Sequence, residues 1–170
     1  MGMFWPKRVL MSAAMIAACI LGPPPARADS TTDSFTVSAH VVSSCEVIAG
    51  DLNFGDYNPV AAANVDAATT LSVTCTNGTG YNVGLDLGLG AGASTATRYM
   101  VDAGAVHALG YTLYQNAGRT TLWGATVGSN TLAGAGTGSA ATIDVFGRIP
   151  MNQTVPSGNY SDTITVSVTW

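Results

Sequence analysis

The feature that most constrains this chain is alternation with a period of two. In the closing run, Ile164, Val166, Val168 and Trp170 alternate with Thr165, Ser167 and Thr169. Successive side chains of a strand point to opposite faces, so the pattern specifies a half-buried strand. The same rule holds for Phe35, Val37, Ala39 and Val41, for Leu71, Val73 and Cys75, and for Tyr81, Val83, Leu85 and Leu87. It holds again for Leu109, Tyr111 and Leu113, and for Ile143 and Val145. β-branched residues dominate these runs, as a pleated surface prefers. No stretch after residue 28 carries an apolar stripe of helical period. Asn77-Gly78-Thr79-Gly80 predicts a hairpin connection, and turns are expected at Asn116-Ala117-Gly118 and Pro156-Ser157-Gly158-Asn159. Longer small-residue loops are expected over 58–68, 88–96 and 132–141. Short strands between such turns predict one all-β domain, an antiparallel sandwich.

The first 28 residues have the layout of a secretory signal peptide. Lys7 and Arg8 precede an apolar stretch from Val9 to Leu21, prolines 23–25 break it, and Ala26-Arg27-Ala28 supplies a small-x-small site with cleavage after Ala28. The stretch is shorter than the roughly 20 residues a membrane-spanning helix needs, so no stable membrane insertion is expected. Ile16-Ala17-Ala18-Cys19 also resembles a lipobox, which would leave a lipid on Cys19; the Ala-Arg-Ala site fits better, because apolar sequence and a proline run follow Cys19. Cleavage leaves 142 residues with three basic groups, Arg98, Arg119 and Arg148, against ten acids, a net charge of −7. That balance argues against nucleic acid and anionic membranes as partners.

Cleavage also removes Cys19 and leaves Cys45 and Cys75. In an exported chain an even pair predicts one disulfide, worth about 3.5 kcal/mol in the chain-entropy model for a loop of roughly 30 residues. Two buried free thiols are the alternative.

Chemistry is sparse. His40 and His107 are the two histidines, and neither has a ligand partner at metal-binding spacing. Asp51 and Asp56 flank Leu-Asn-Phe-Gly and read as turn formers. The glycine-rich runs 88–92 and 134–138 lack the following helix and lysine of a phosphate loop. Asn77-Gly78-Thr79, Asn152-Gln153-Thr154 and Asn159-Tyr160-Ser161 match a glycosylation triplet that arises often by chance in a Thr-rich chain. No catalytic residues, metal or cofactor are expected, and an enzyme is the least supported class.

Several segments together resemble the spore coat protein U domain family, which includes the archaic, Csu-type chaperone–usher pilins. They are Leu52-Asn53-Phe54-Gly55-Asp56-Tyr57, Leu71-Ser72-Val73-Thr74-Cys75-Thr76 with Tyr81-Asn82-Val83, and Arg98-Tyr99-Met100 with 109–114. Phe146-Gly147-Arg148-Ile149-Pro150 and the closing segment 158–166 complete the set. The resemblance runs from Phe35 to Trp170.

The resemblance implies an immunoglobulin-like antiparallel sandwich that lacks its final strand. A periplasmic chaperone would lend that strand first, and the N-terminal segment of another subunit would replace it at an outer-membrane usher, by β-strand addition. On this reading 29–42 is a donor segment with Phe35, Val37, Ala39 and Val41 as its inserting residues. Residues 43–170 are the pilin domain, and Ile164, Val166, Val168 and Trp170 form its C-terminal strand. The expected function is a structural pilus subunit at the cell surface, exported through the periplasm, supporting adhesion and biofilm formation. The alternatives are a spore or cell-coat protein of the same fold and a secreted carbohydrate-binding module. Aromatics on one exposed face, for instance Tyr99, Tyr111 and Trp123, would favour the last.

Overall fold

The computed structural model describes Gly22 and residues 26–170. The expected leader's charged start, its apolar stretch and Cys19 lie outside the described residues. The chain divides into two units, Met1–Ala39 and His40–Trp170. In the first, the described residues form no helix or strand. The alternating run 35–41 is therefore not a strand in the single chain, and Phe35 and Val37 are 89% and 82% exposed. Its pattern satisfies the side chains of a strand, but a strand also needs a ladder for its backbone groups, and none is assigned there.

The second unit is all-β and antiparallel, with no helix among the described residues. Its strands are β1 (Cys45–Ala49), β2 (Val65–Cys75), β3 (Gly80–Leu85), β4 (Arg98–Val101), β5 (Ala108–Tyr114), β6 (Leu132–Ala135), β7 (Ala141–Ile149) and β8 (Val166–Thr169). They form a five-stranded sheet, β1-β2-β7-β5-β4, and a three-stranded sheet, β6-β3-β8. The alternating residues face one core: Leu71 and Val73 from β2, Val83 and Leu85 from β3, Leu109, Tyr111 and Leu113 from β5, and Val145 and Ile149 from β7 are all buried. Cys45 and Cys75 stand directly opposite each other in the β1–β2 register and are bonded, with Cα atoms 4.1 Å apart.

Four expectations are corrected. Residues 77–80 do not close a hairpin, because they carry the chain from β2 in one sheet to β3 in the other. The reason is occupancy: β2 already has β1 and β7 on its two edges, so β3 has no edge of β2 to join. Residues 132–135, expected as loop, are β6. Tyr81 pairs with Gly134, and a Cβ on Gly134 would sit 2.5 Å from the Tyr81 ring. The run of small residues is thus a strand that leaves room for an aromatic ring. Residues 65–68, also expected as loop, begin β2. The closing strand is shorter than its pattern, because only 166–169 pair with β3 while Trp170 is 57% exposed. β1 and β4 carry little alternation and were not legible as strands.

One segment stitches the sheets together. Trp123, fully buried, donates its backbone N–H to the Leu113 carbonyl of β5 (3.0 Å) and its indole N–H to the Val83 carbonyl of β3 (2.9 Å). Leu85 of β3 donates to the Gly124 carbonyl (3.0 Å). Arg98, also fully buried, donates to the carbonyls of Asp86 (2.8 Å), Leu85 (3.2 Å) and Trp123 (2.7 Å).

Two outcomes follow for denaturant unfolding of the disulfide-bonded chain from residue 29 onward. Arg98→Met strands two buried carbonyls and the half-buried one of Asp86 and should cost at least ~3 kcal/mol, and Arg98→Lys should recover little of it, since an ammonium cannot reproduce the fork. Gly134→Ala should cost about 1–3 kcal/mol by overpacking against Tyr81. A neutral Gly134→Ala would show that β6 can shift away from β3.

Candidate functional site

The core is not covered on all sides. A cavity of about 420 Å³ and a second of about 730 Å³ adjoin at Leu52, Phe54, Met100 and Tyr160, which line both; the first is a groove along the large sheet. Its floor is the inner face of the large sheet, with Leu71, Val145, Leu113 and Tyr111, joined by Leu85 of β3.

The first lip is the extended segment 50–57. Leu52 and Phe54 are half-buried and alternate with exposed Asn53 and Gly55. Both pack on β7 at Gly147, where a Cβ would come within 2.7 Å of each side chain, and Phe54 meets Tyr111 edge-on at 6.0 Å. Gly55 has φ of 68°, a left-handed turn that favours glycine, and its N–H is held by Asn53 Oδ1 at 2.8 Å. Tyr57 then anchors the far end: its hydroxyl accepts from the Gln153 N–H (2.8 Å) and donates to the Pro150 carbonyl (3.2 Å). The L-x-F-G-x-Y pattern is therefore two groove-lining residues, a turn and an anchor. Residues 51–57 make no backbone–backbone hydrogen bond among the described residues.

The second lip is 158–166. Tyr160, Asp162, Ile164 and Val166 are half-buried and alternate with exposed Ser161, Thr163 and Thr165, so the strand pattern continues well ahead of β8. Its backbone is tied at few points: the Val101–Ser161 bridge and the Asp86 N–H to the Thr165 carbonyl (3.1 Å). β8 and β1 are edge strands of their sheets. The groove thus joins an apolar floor to lips with unpaired backbone groups, the two features a bound strand satisfies.

Carboxylates hold the second lip. Asp162 Oδ2 accepts from the Tyr111 hydroxyl (2.7 Å) and Oδ1 from the Leu89 N–H (2.7 Å). Asp86 Oδ1 accepts from the N–H groups of Thr165 (2.9 Å) and Gly88 (3.0 Å). Burial, then the neighbouring Asp162, push the Tyr111 phenol far above the ordinary tyrosine range, so it stays protonated and donates. Burial opposes ionisation of Asp86, yet the Thr165 and Gly88 hydrogen bonds and nearby Arg98 hold its carboxyl below the usual range. Asp86, Asp162 and Gln153 carried no sign of these roles in the sequence, because the roles are contacts across the fold.

The remaining residues singled out from the sequence fall elsewhere. Ile164, Val166 and Val168 pack against the core, whereas Phe35, Val37, Ala39 and Val41 are exposed. Tyr111 and Trp123 are buried and Tyr99 is half-buried, so the three do not form an exposed aromatic platform. His40 is exposed. His107 Nδ1 lies 2.7 Å from Asp102 Oδ2 at the surface. Among the described residues no three His, Cys, Asp or Glu side chains cluster as metal ligands, and no helix is long and apolar enough to cross a membrane.

The Spore Coat Protein U domain family matches residues 31–167. A curated relative, Protein U of Myxococcus xanthus, is 34% identical over 176 aligned positions, covering 96% of this chain and 98% of its own length. The fold is shared with a structure solved as the CsuC–CsuE chaperone–tip adhesion subunit pre-assembly complex from the archaic chaperone–usher Csu pili of Acinetobacter baumannii. The TM-score is 0.57 at 24% identity, over 76% of this chain and 40% of that one. With the family matched over most of its length and a relative aligned nearly end to end, the chain belongs to the Spore Coat Protein U domain family.

Proposed function

We propose that the chain is a structural subunit of an extracellular pilus, exported through the periplasm and assembled by a chaperone and an outer-membrane usher through donor-strand exchange. The observation that carries this reading is the groove: an apolar floor flanked by two extended lips with few backbone partners. A single added strand would satisfy both lips and cover the floor. Residues 35–41 supply a matching insert: Phe35, Val37, Ala39 and Val41 are all exposed, and a strand conformation would put them on one face. Burying Phe35 and each valine contributes about 1.5–3 kcal/mol per side chain, which repeated along a polymer gives long-lived junctions. A chaperone strand would fill the same groove before assembly. Adhesion and biofilm formation are the roles such a fibre would serve.

A coat protein is the second reading, favoured by the family's description. It uses the same groove for a different assembly. Fibres sheared from the cell surface support the pilus; protein recovered only with the envelope of differentiating cells supports the coat.

Val37→Asp tests the donor segment. An unpaired charge carried into an apolar groove costs several kcal/mol. The variant should accumulate as soluble, disulfide-bonded subunit with its chaperone, and should give neither surface fibres nor heat-labile ladders on gels. Normal polymerisation would place the donor elsewhere, and unfolding in the presence of chaperone would place this segment in its own core.

A further inference from the structure

Residues 26–44 form no strand, and the first strand, β1, begins at Cys45. β1 is a weak place from which to be pulled. It is a sheet edge, five residues long, and among the described residues it pairs with β2 alone. Each antiparallel bond lies perpendicular to the strand, so a pull on the first residue would open the ladder one bond at a time. The bond between Cys45 and Cys75 closes that route at its first position. We infer that the disulfide is a tension junction: a pull on residues 29–44 passes through it into β2 and cannot peel β1. The source of the tension rests on the donor-strand reading above, in which 29–42 is held by another copy. The junction itself is a property of this fold.

Cys75 is placed to receive such a pull. It is buried at the end of β2, the longest strand, which pairs with β7 from 65 to 73 against 149 to 141. Sliding β2 along β7 would strain all those pairs together. Cys75 is also tied to the chain that leaves the small sheet. Its carbonyl accepts from the Gly138 N–H (3.0 Å). Gly136, just after β6, accepts from the Gly78 N–H (2.9 Å) and donates to the Thr79 carbonyl (2.8 Å). That close approach requires glycine, because a Cβ on Gly136 would lie 2.8 Å from the Cys75 Cβ. Part of the glycine-rich run 134–138 thus packs against the disulfide. Thr76 adds a second tie to the incoming chain: its N–H donates to the Ser44 carbonyl (2.9 Å), and its hydroxyl accepts from the Ser44 N–H (3.1 Å). A pull arriving at Ser44 therefore meets β2 and, through Cys75, bonds to both sheets. Loop-closure entropy, the ordinary benefit of a disulfide, requires none of this placement.

The test is directional, because forced opening reads a barrier along the pull and not the overall stability. The chain from residue 29 onward is held in magnetic tweezers between a handle at its first residue and one attached in the exposed turn at Ala117. The oxidised wild type should show no early step before the main opening. Cys45→Ala with Cys75→Ala should first release β1 and the segment up to β2. That early step should reach at most roughly 65 Å, at about 3.3 Å for each of residues 45–64. Wild type reduced while held folded at low force should give the same step, which keeps the test decisive if the double variant does not fold. With the first handle moved to Trp170, β8 should open first whether or not the bond is present. An early step in the oxidised chain pulled from residue 29, or none after reduction, overturns the proposal. A release of 45–64 seen equally from the Trp170 handle also overturns it, since that marks a general loss of stability. All of these measurements use one chain, so their outcome is separate from that of the donor-strand reading, which Val37→Asp decides.

Discussion

The junction at Trp123 is the interaction on which this sandwich depends. Two sheets that share one core need something to hold them in register, and here a single buried segment bonds to both. Trp123 reaches β5 through its backbone and β3 through its indole, while Arg98 of β4 gathers three carbonyls around the same point. A buried guanidinium is costly to desolvate, and its five donors justify it only when most are used. Backbone carbonyls are suitable acceptors here, because Leu85 is fixed in the β3 ladder and Trp123 is fixed by its bonds to Leu113 and Val83. Leu85 and Leu113, bonded at this junction, also line the groove, so the same segment fixes the groove floor.

The second organising constraint is a deficiency. β1 and β8 are sheet edges, and the extended segments 50–57 and 158–165 continue them with few backbone partners. Exposed edges over an apolar floor are a hazard for uncontrolled association. On the proposed reading, loss of the leader would leave a net charge of −7 and a mutual repulsion between copies. The lips themselves are held by side chains instead of ladders: Tyr57 and Gln153 at one end, Asp86 and Asp162 along the other.

Legibility in the sequence followed the physics of each element. Leu71 to Cys75, Tyr81 to Leu85 and Leu109 to Leu113 could be read because one face of each is buried, so side-chain period and structure coincide. β6 could not: Leu-Ala-Gly-Ala looks like loop until the Tyr81 ring that requires Gly134 is known. The connection after β2 misled for a related reason. Turn residues between two strands fit a hairpin or a crossing between sheets equally well, and the choice lay with β7, which occupies the edge that β3 would have used. In the groove, Leu52, Phe54 and Tyr57 were visible as a motif, whereas Asp86, Asp162 and Gln153 were single polar residues among many.

By itself, the sequence determined the all-β class, the inward-facing set on the main strands, the pairing of Cys45 with Cys75 and the alternating segment 35–41. Each of these is a local pattern or a count, and local patterns need only the geometry of one strand. Only the tertiary structure decided which strands share a sheet and that the core has an open side. It also decided that 35–41 forms no strand within the single chain and that a carboxylate on one lip bonds a tyrosine in the floor. Those depend on which edges are already taken and which volumes are already filled, and such facts exist only once residues far apart in the chain compete for the same neighbours.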